Sequence, residues 1–139
     1  MIVQLLVALV LGGAAVAVAA VLRRRRRHDG PTQGPAWEAP GQLDRRDFER
    51  PDADWLVVVF SSATCESCAA MVDKARVLAS DHVAVTEVEV GARPELHRRY
   101  RIEAVPITVV ADRAGVVRAS FIGPASATDL WAAVADARN

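Results

Sequence analysis

The sequence predicts an α/β domain, a central mixed sheet flanked by helices, preceded by an N-terminal transmembrane helix. Three observations predict it. Trp55-Leu56-Val57-Val58-Val59-Phe60 is a continuous apolar, largely β-branched run, the pattern of a strand covered on both faces. Directly after it, Cys68, Met71, Val72, Ala75, Leu78 and Ala79 recur at spacings of three and four, which is one apolar face of a helix. Residues 2–22 contain a single polar side chain, Gln4.

That first run would span about 31 Å as a helix, enough for a bilayer. A cleaved secretory signal would carry a basic start, a shorter apolar stretch and a small-residue cleavage site. Here no Lys or Arg precedes the run, and Arg23 to Arg27 follow it directly. Residues 1–22 are therefore read as a transmembrane anchor. Arginine clusters stay on the cytoplasmic side of short membrane proteins, which predicts a single-pass protein of the cell membrane with its domain in the cytoplasm. The same cluster attracts anionic headgroups, so residues 2–27 are expected to contact membrane lipid.

Residues 23–50 read as a basic juxtamembrane stretch and flexible linker, because His28-Asp29-Gly30-Pro31, Gly34-Pro35 and Ala39-Pro40-Gly41 interrupt any apolar period. Leu43 and Phe48 leave room for a short helix or turn packed on the domain. The folded domain is assigned to residues 51–139. Its further elements are a strand over 83–90, a helix over 94–100, strands over 107–110 and 115–122, and a helix over 127–137. The order is β-α-β-α-β-β-α.

The chain is formally neutral, with 17 basic and 17 acidic residues among 139. Five of the basic residues lie in 23–27, so residues 28–139 hold twelve basic against 17 acidic, a balance of −5. No basic face is available to neutralise phosphates, which argues against nucleic acid as a partner. Sixteen of the basic residues are Arg, which reads as genome composition bias. Two cysteines are too few for a disulfide-stapled scaffold, and their spacing directs attention to redox or metal chemistry.

Ser61-Ser62-Ala63-Thr64 suits a loop and helix cap, so Cys65-Glu66-Ser67-Cys68 opens the first helix of the domain. Free backbone N–H groups and the positive end of the helix dipole stabilise a thiolate there. Cys65 is the expected nucleophile, forming a mixed disulfide with a substrate, and Cys68, one turn on, the expected resolving thiol. No cofactor is required.

With these motifs the sequence resembles the thioredoxin family across residues 43–139. The apolar strand before Cys-x-x-Cys, the Arg-Ile-Glu-Ala-Val-Pro stretch ending in Pro106, and Gly123 before the last helix carry the resemblance. It implies a thioredoxin-like fold, a cis Val105-Pro106 bond facing the cysteines, and a substrate segment paired with the Val105 backbone as an added strand. Thr64, Val105 and Pro106 are thus the implied substrate-binding residues, and protein dithiols or disulfides the implied partners, with an electron donor that the sequence does not name.

The sequence departs from the family in three places. Thr64 stands where Trp is common, Glu66-Ser67 replaces Gly-Pro, and Val59 and Glu87 occupy the positions of the buried acid and its lysine partner. The usual proton acceptor for the resolving thiol is absent; water, Glu87 or Glu66 are the candidates to replace it.

Competing readings are a structural zinc site, a copper(I)-binding carrier, a non-catalytic adaptor, and an extracytoplasmic thiol reductase for cytochrome c maturation. Zinc needs four ligands, and besides carboxylates the chain offers only His28, His82 and His97. His28 falls in the linker, and the other two are expected at the surface. Copper(I) would be satisfied by two soft thiolates. Asp73, Lys74 and Arg76 read as a solvated helix face.

Overall fold

The computed structural model describes residues 37–139, together with Met1 and Gln4. The expected transmembrane helix and most of the linker lie outside the described residues. Among the described residues no helix is long and apolar enough to cross a membrane.

Strand β1 (Trp55–Ser61) lies centrally, as its apolar run requires: every residue from Leu56 to Ser61 is buried. It pairs in parallel with β2 (Val83–Glu89) and antiparallel with β3 (Ile107–Asp112), which pairs antiparallel with β4 (Val117–Ile122). The order is β2-β1-β3-β4. The parallel pair needs a crossover, and helix α1 (Glu66–Arg76) supplies it. Helix α2 (Pro94–Arg99) connects β2 to β3, and α3 (Ala127–Ala137) ends the fold.

Alternation along the strands sorts the core into two faces. Val57, Val59, Val83 and Val110 meet Met71, Val72 and Ala75 of α1 and Leu130 and Val134 of α3. Leu56, Val58, Phe60, Ala84, Val88, Ile107, Val109 and Ala111 point the other way, toward Leu96 of α2.

Several boundaries differ from the sequence reading. Helix α1 stops at Arg76, although its apolar period continues to Leu78 and Ala79. The Leu78 and Ala79 amides bond to Ala75 and Arg76, three residues back, tightening the chain into a turn. Strand β4 begins at Val117 because Gly115 adopts a positive φ of 81° in the β3–β4 turn.

The linker boundary at residue 50 is corrected. Leu43 is 2% exposed and Phe48 5%, both within the Leu96 face of the core. Gln42 bridges to Val116, and the Leu43 amide donates to the Gly115 carbonyl at 2.8 Å. A short 3-10 turn at Arg45–Asp47 follows, capped by the Asp44 side chain. Buried Arg45 donates to the carbonyls of Asp112 (2.8 Å) and Ala53 (2.9 Å). Arg50 donates to those of Ser80 (2.7 Å) and Asp81 (2.6 Å). Residues 42–50 thus belong to the domain: two apolar side chains without a period gained their burial from tertiary partners alone.

Candidate functional site

Ser62, Ala63 and Thr64 carry the chain from the C-terminal end of β1 into α1, and Cys65 is the N-cap of that helix. Its backbone is extended (φ −106°, ψ 106°), and its sulfur accepts the Cys68 amide at 3.2 Å. The side chain thus serves one of the four N–H groups that an α-helix leaves free at its start. The Ser67 hydroxyl lies 3.4 Å from the same sulfur. Cys65 and Cys68 form a disulfide, their Cα atoms 5.3 Å apart. Cys65 is partly exposed, whereas Cys68 is buried at 1% exposure. One sulfur can be reached from outside, and the other sits against the core.

Glu89 holds the loop before the motif. Its carboxylate accepts the Ala63 amide at 3.1 Å and the Ala92 amide at 2.8 Å, linking the β1–α1 loop to the one after β2. Hydrogen bonds from the backbone at Gly91, Ala63 and Ala92 hold this carboxyl below its ordinary range, against the opposing effect of desolvation.

The Val105-Pro106 peptide bond is cis. Pro106 is buried and Val105 half-buried, while Thr64 is exposed. Strand β3 begins at Ile107 opposite Phe60, so Pro106 lies at the sheet end from which β1 departs toward the motif. The fold therefore brings Thr64, Cys65, Cys68, Val105 and Pro106 to one end of the sheet. The Pro106 carbonyl accepts the Gly123 amide at 2.8 Å, which ties that end of β3 to the end of β4.

Val59 is buried between two neighbours in register, Glu87 on β2 and Thr108 on β3. Glu87 accepts a hydrogen bond from the buried Ser61 hydroxyl at 2.8 Å and pairs with Arg76 at 3.4 Å. Sequence reasoning raised Glu87 but not Ser61. Their bond joins residues 26 apart on neighbouring strands, which no local pattern signals.

His97 departs from the sequence reading. It is 6% exposed, bonds through Nε2 to the Val88 carbonyl at 2.8 Å, and meets the Phe60 ring edge-on. Its burial follows from packing α2 on β2. His82 is exposed and pairs with Asp54. Lys74 is also not merely solvated, since its ammonium donates to the Ala125 carbonyl at 2.7 Å. Among the described residues no group of three or more His, Cys, Asp or Glu side chains is arranged to hold a metal ion.

No protein-family model matches the chain, and no curated protein sequence does. Solved structures do. The germline-specific thioredoxin Deadhead of Drosophila melanogaster is 27% identical, with a TM-score of 0.54 over 63% of this chain and 85% of that one. Fasciola hepatica thioredoxin is 25% identical, with a TM-score of 0.53 over 62% and 83%. A chloroplastic thioredoxin z, 23% identical over 63% and 80%, shares the fold with a TM-score of 0.55.

Proposed function

We propose that this chain, thioredoxin-like in fold and in its Cys-x-x-Cys motif, is a thiol-disulfide oxidoreductase that exchanges with protein substrates through Cys65 and Cys68. The single observation that carries the reading is the unequal disulfide at the start of α1: Cys65 partly exposed at the cap position, Cys68 buried one turn inside.

In the reduced protein the Cys65 thiolate gains from the helix terminus and from the amide that already points at its sulfur. It attacks a substrate disulfide, forming the Cys65–substrate bond and releasing one substrate thiolate. The Cys68 thiolate then attacks the Cys65 sulfur, closing the internal disulfide and releasing the second. Two electrons pass from the motif to the substrate, and an external donor must return them. Run backwards, the same steps oxidise a substrate dithiol. Thr64 and the Val105-Pro106 backbone border the reaction on the exposed side, where an extended segment can add to the chain as a strand.

Insulin reduction by dithiothreitol tests this activity. The protein should accelerate precipitation of the insulin B chain, and Cys65→Ser should not; equal rates with and without the intact protein would refute the reading.

We also propose that residues 2–22 anchor the protein and that Arg23–Arg27 keep its domain on the cytoplasmic side, on the strength of the uninterrupted apolar run and the charge that follows it. A phosphatase that works only outside the cytoplasm, fused after Asn139, should be inactive. Activity would place the domain on the other side.

A further inference from the structure

Cys68 must lose its proton before it can attack, yet at 1% exposure it has almost no contact with water. The sheet face under α1 is otherwise apolar there: Val57, Val59, Val83 and Val110 meet Met71, Val72 and Ala75. Two buried hydroxyls interrupt it, Ser61 at 1% exposure and Thr108 at 0%. Ser61 follows Val59 by two on β1, so its side chain leaves on the same face, at the strand end from which residues 62–64 lead into α1.

The two hydroxyls differ in what lies behind them. Thr108 Oγ1 has no hydrogen-bond partner. Ser61 donates to the Glu87 carboxylate at 2.8 Å, which leaves its oxygen lone pairs free to accept. Glu87 in turn borders an opening of about 270 Å³ with Val59, Val72, Arg76 and Glu49, and Val72 lies one helical turn beyond Cys68. A proton that reaches Glu87 can leave to solvent; one that reaches Thr108 has nowhere to go.

We propose that Ser61 and Glu87 form the proton path for the resolving thiol. The inference rests on the oxidoreductase reading above and assigns it two proton-transfer residues. Cys68 gives its proton to Ser61 Oγ while the Ser61 proton moves to Glu87. The Cys68 thiolate attacks the Cys65 sulfur, the Cys65–Cys68 bond forms, and the Cys65–substrate bond breaks. The departing substrate thiolate takes its proton from solvent, and Glu87 returns its own to water. Substrate is reduced by two electrons, and the cysteine pair is oxidised by two.

The charges facing Glu87 are Arg76 of α1, 3.4 Å away and itself 3.7 Å from Asp73, and Glu49 from the segment before β1 across the opening. Glu66, in the first turn of α1, is the nearest other acid along the chain to the two cysteines. Arg76 pairs with Glu87 but takes no proton in the path, so the path is tested on Glu87 and Ser61 and not on Arg76.

The experiment uses the reduced full-length chain and dithiobis(nitrobenzoate), followed by stopped flow. Attack by Cys65 releases one nitrothiobenzoate, and resolution by Cys68 releases a second. Glu87→Gln and Ser61→Ala should leave the first phase unchanged and slow the second about tenfold or more at neutral pH. The slowed phase should depend more steeply on hydroxide than in the parent, and Glu87→Asp should recover part of the rate. A second phase with parental rate and pH profile in both variants overturns the proposal, as does slowing by Thr108→Val alone. Absence of the first phase in the parent refutes instead the nucleophilic role of Cys65.

Discussion

Position separates two chemically identical side chains. Cys65 caps α1 from the exposed side and already accepts an amide hydrogen, whereas Cys68 faces the core. The loop before them depends on Glu89, whose depressed pKa makes it an acid-sensitive fastening. The ionised carboxylate is favoured by folding, so its contribution is fully present above the ordinary Glu value of about 4.3 and is lost as pH falls through the lower folded value. Stability of the parent should therefore fall more steeply below about pH 4 than that of Glu89→Gln. Urea titrations of both across that range decide it, and identical slopes would show that Glu89 does not fasten the loop. The cysteines were legible from their spacing. Glu89 was not, because in an alternating strand it looks like any solvent-facing residue; its partners, the amides of Ala63 and Ala92, lie in two different loops.

Secondary structure followed the sequence pattern in β1 and α3, whereas α1 ended before its apolar period did. Strand β1 and helix α3 lie where their patterns predict them, and the cis bond at Pro106 agrees with the Arg-Ile-Glu-Ala-Val-Pro resemblance. Elements settled by distant partners were harder to read. Burial of His97 depends on the Val88 carbonyl, and residues 42–50 contain apolar side chains too sparse to show a period. That segment has a measurable role. Leu43→Ala removes a side chain 2% exposed and should cost about 2–5 kcal/mol of stability, read as a lower denaturation midpoint. A neutral result would mean that residues 42–50 are dispensable to the domain.

For the whole molecule, composition and chemistry point to separate tasks in separate segments. The described residues supply an α/β scaffold that gathers the motif and the cis-proline at one end of a four-stranded sheet and hydrogen-bonds Ser61 to Glu87. Residues 2–27 supply an apolar run and five arginines, and with them the proposed attachment to lipid. Because the exchange chemistry needs only the first part, insulin reduction should survive loss of residues 2–27, while substrate choice in the cell should not.

The most direct measurement traps the intermediate. With Cys68→Ser in cells, Cys65 should remain bound to its substrates through mixed disulfides that migrate as discrete adducts and vanish on reduction, and Cys65→Ser should yield none. Adducts of equal amount from both variants, or from neither, would contradict the assignment of an outer attacking sulfur and an inner resolving one.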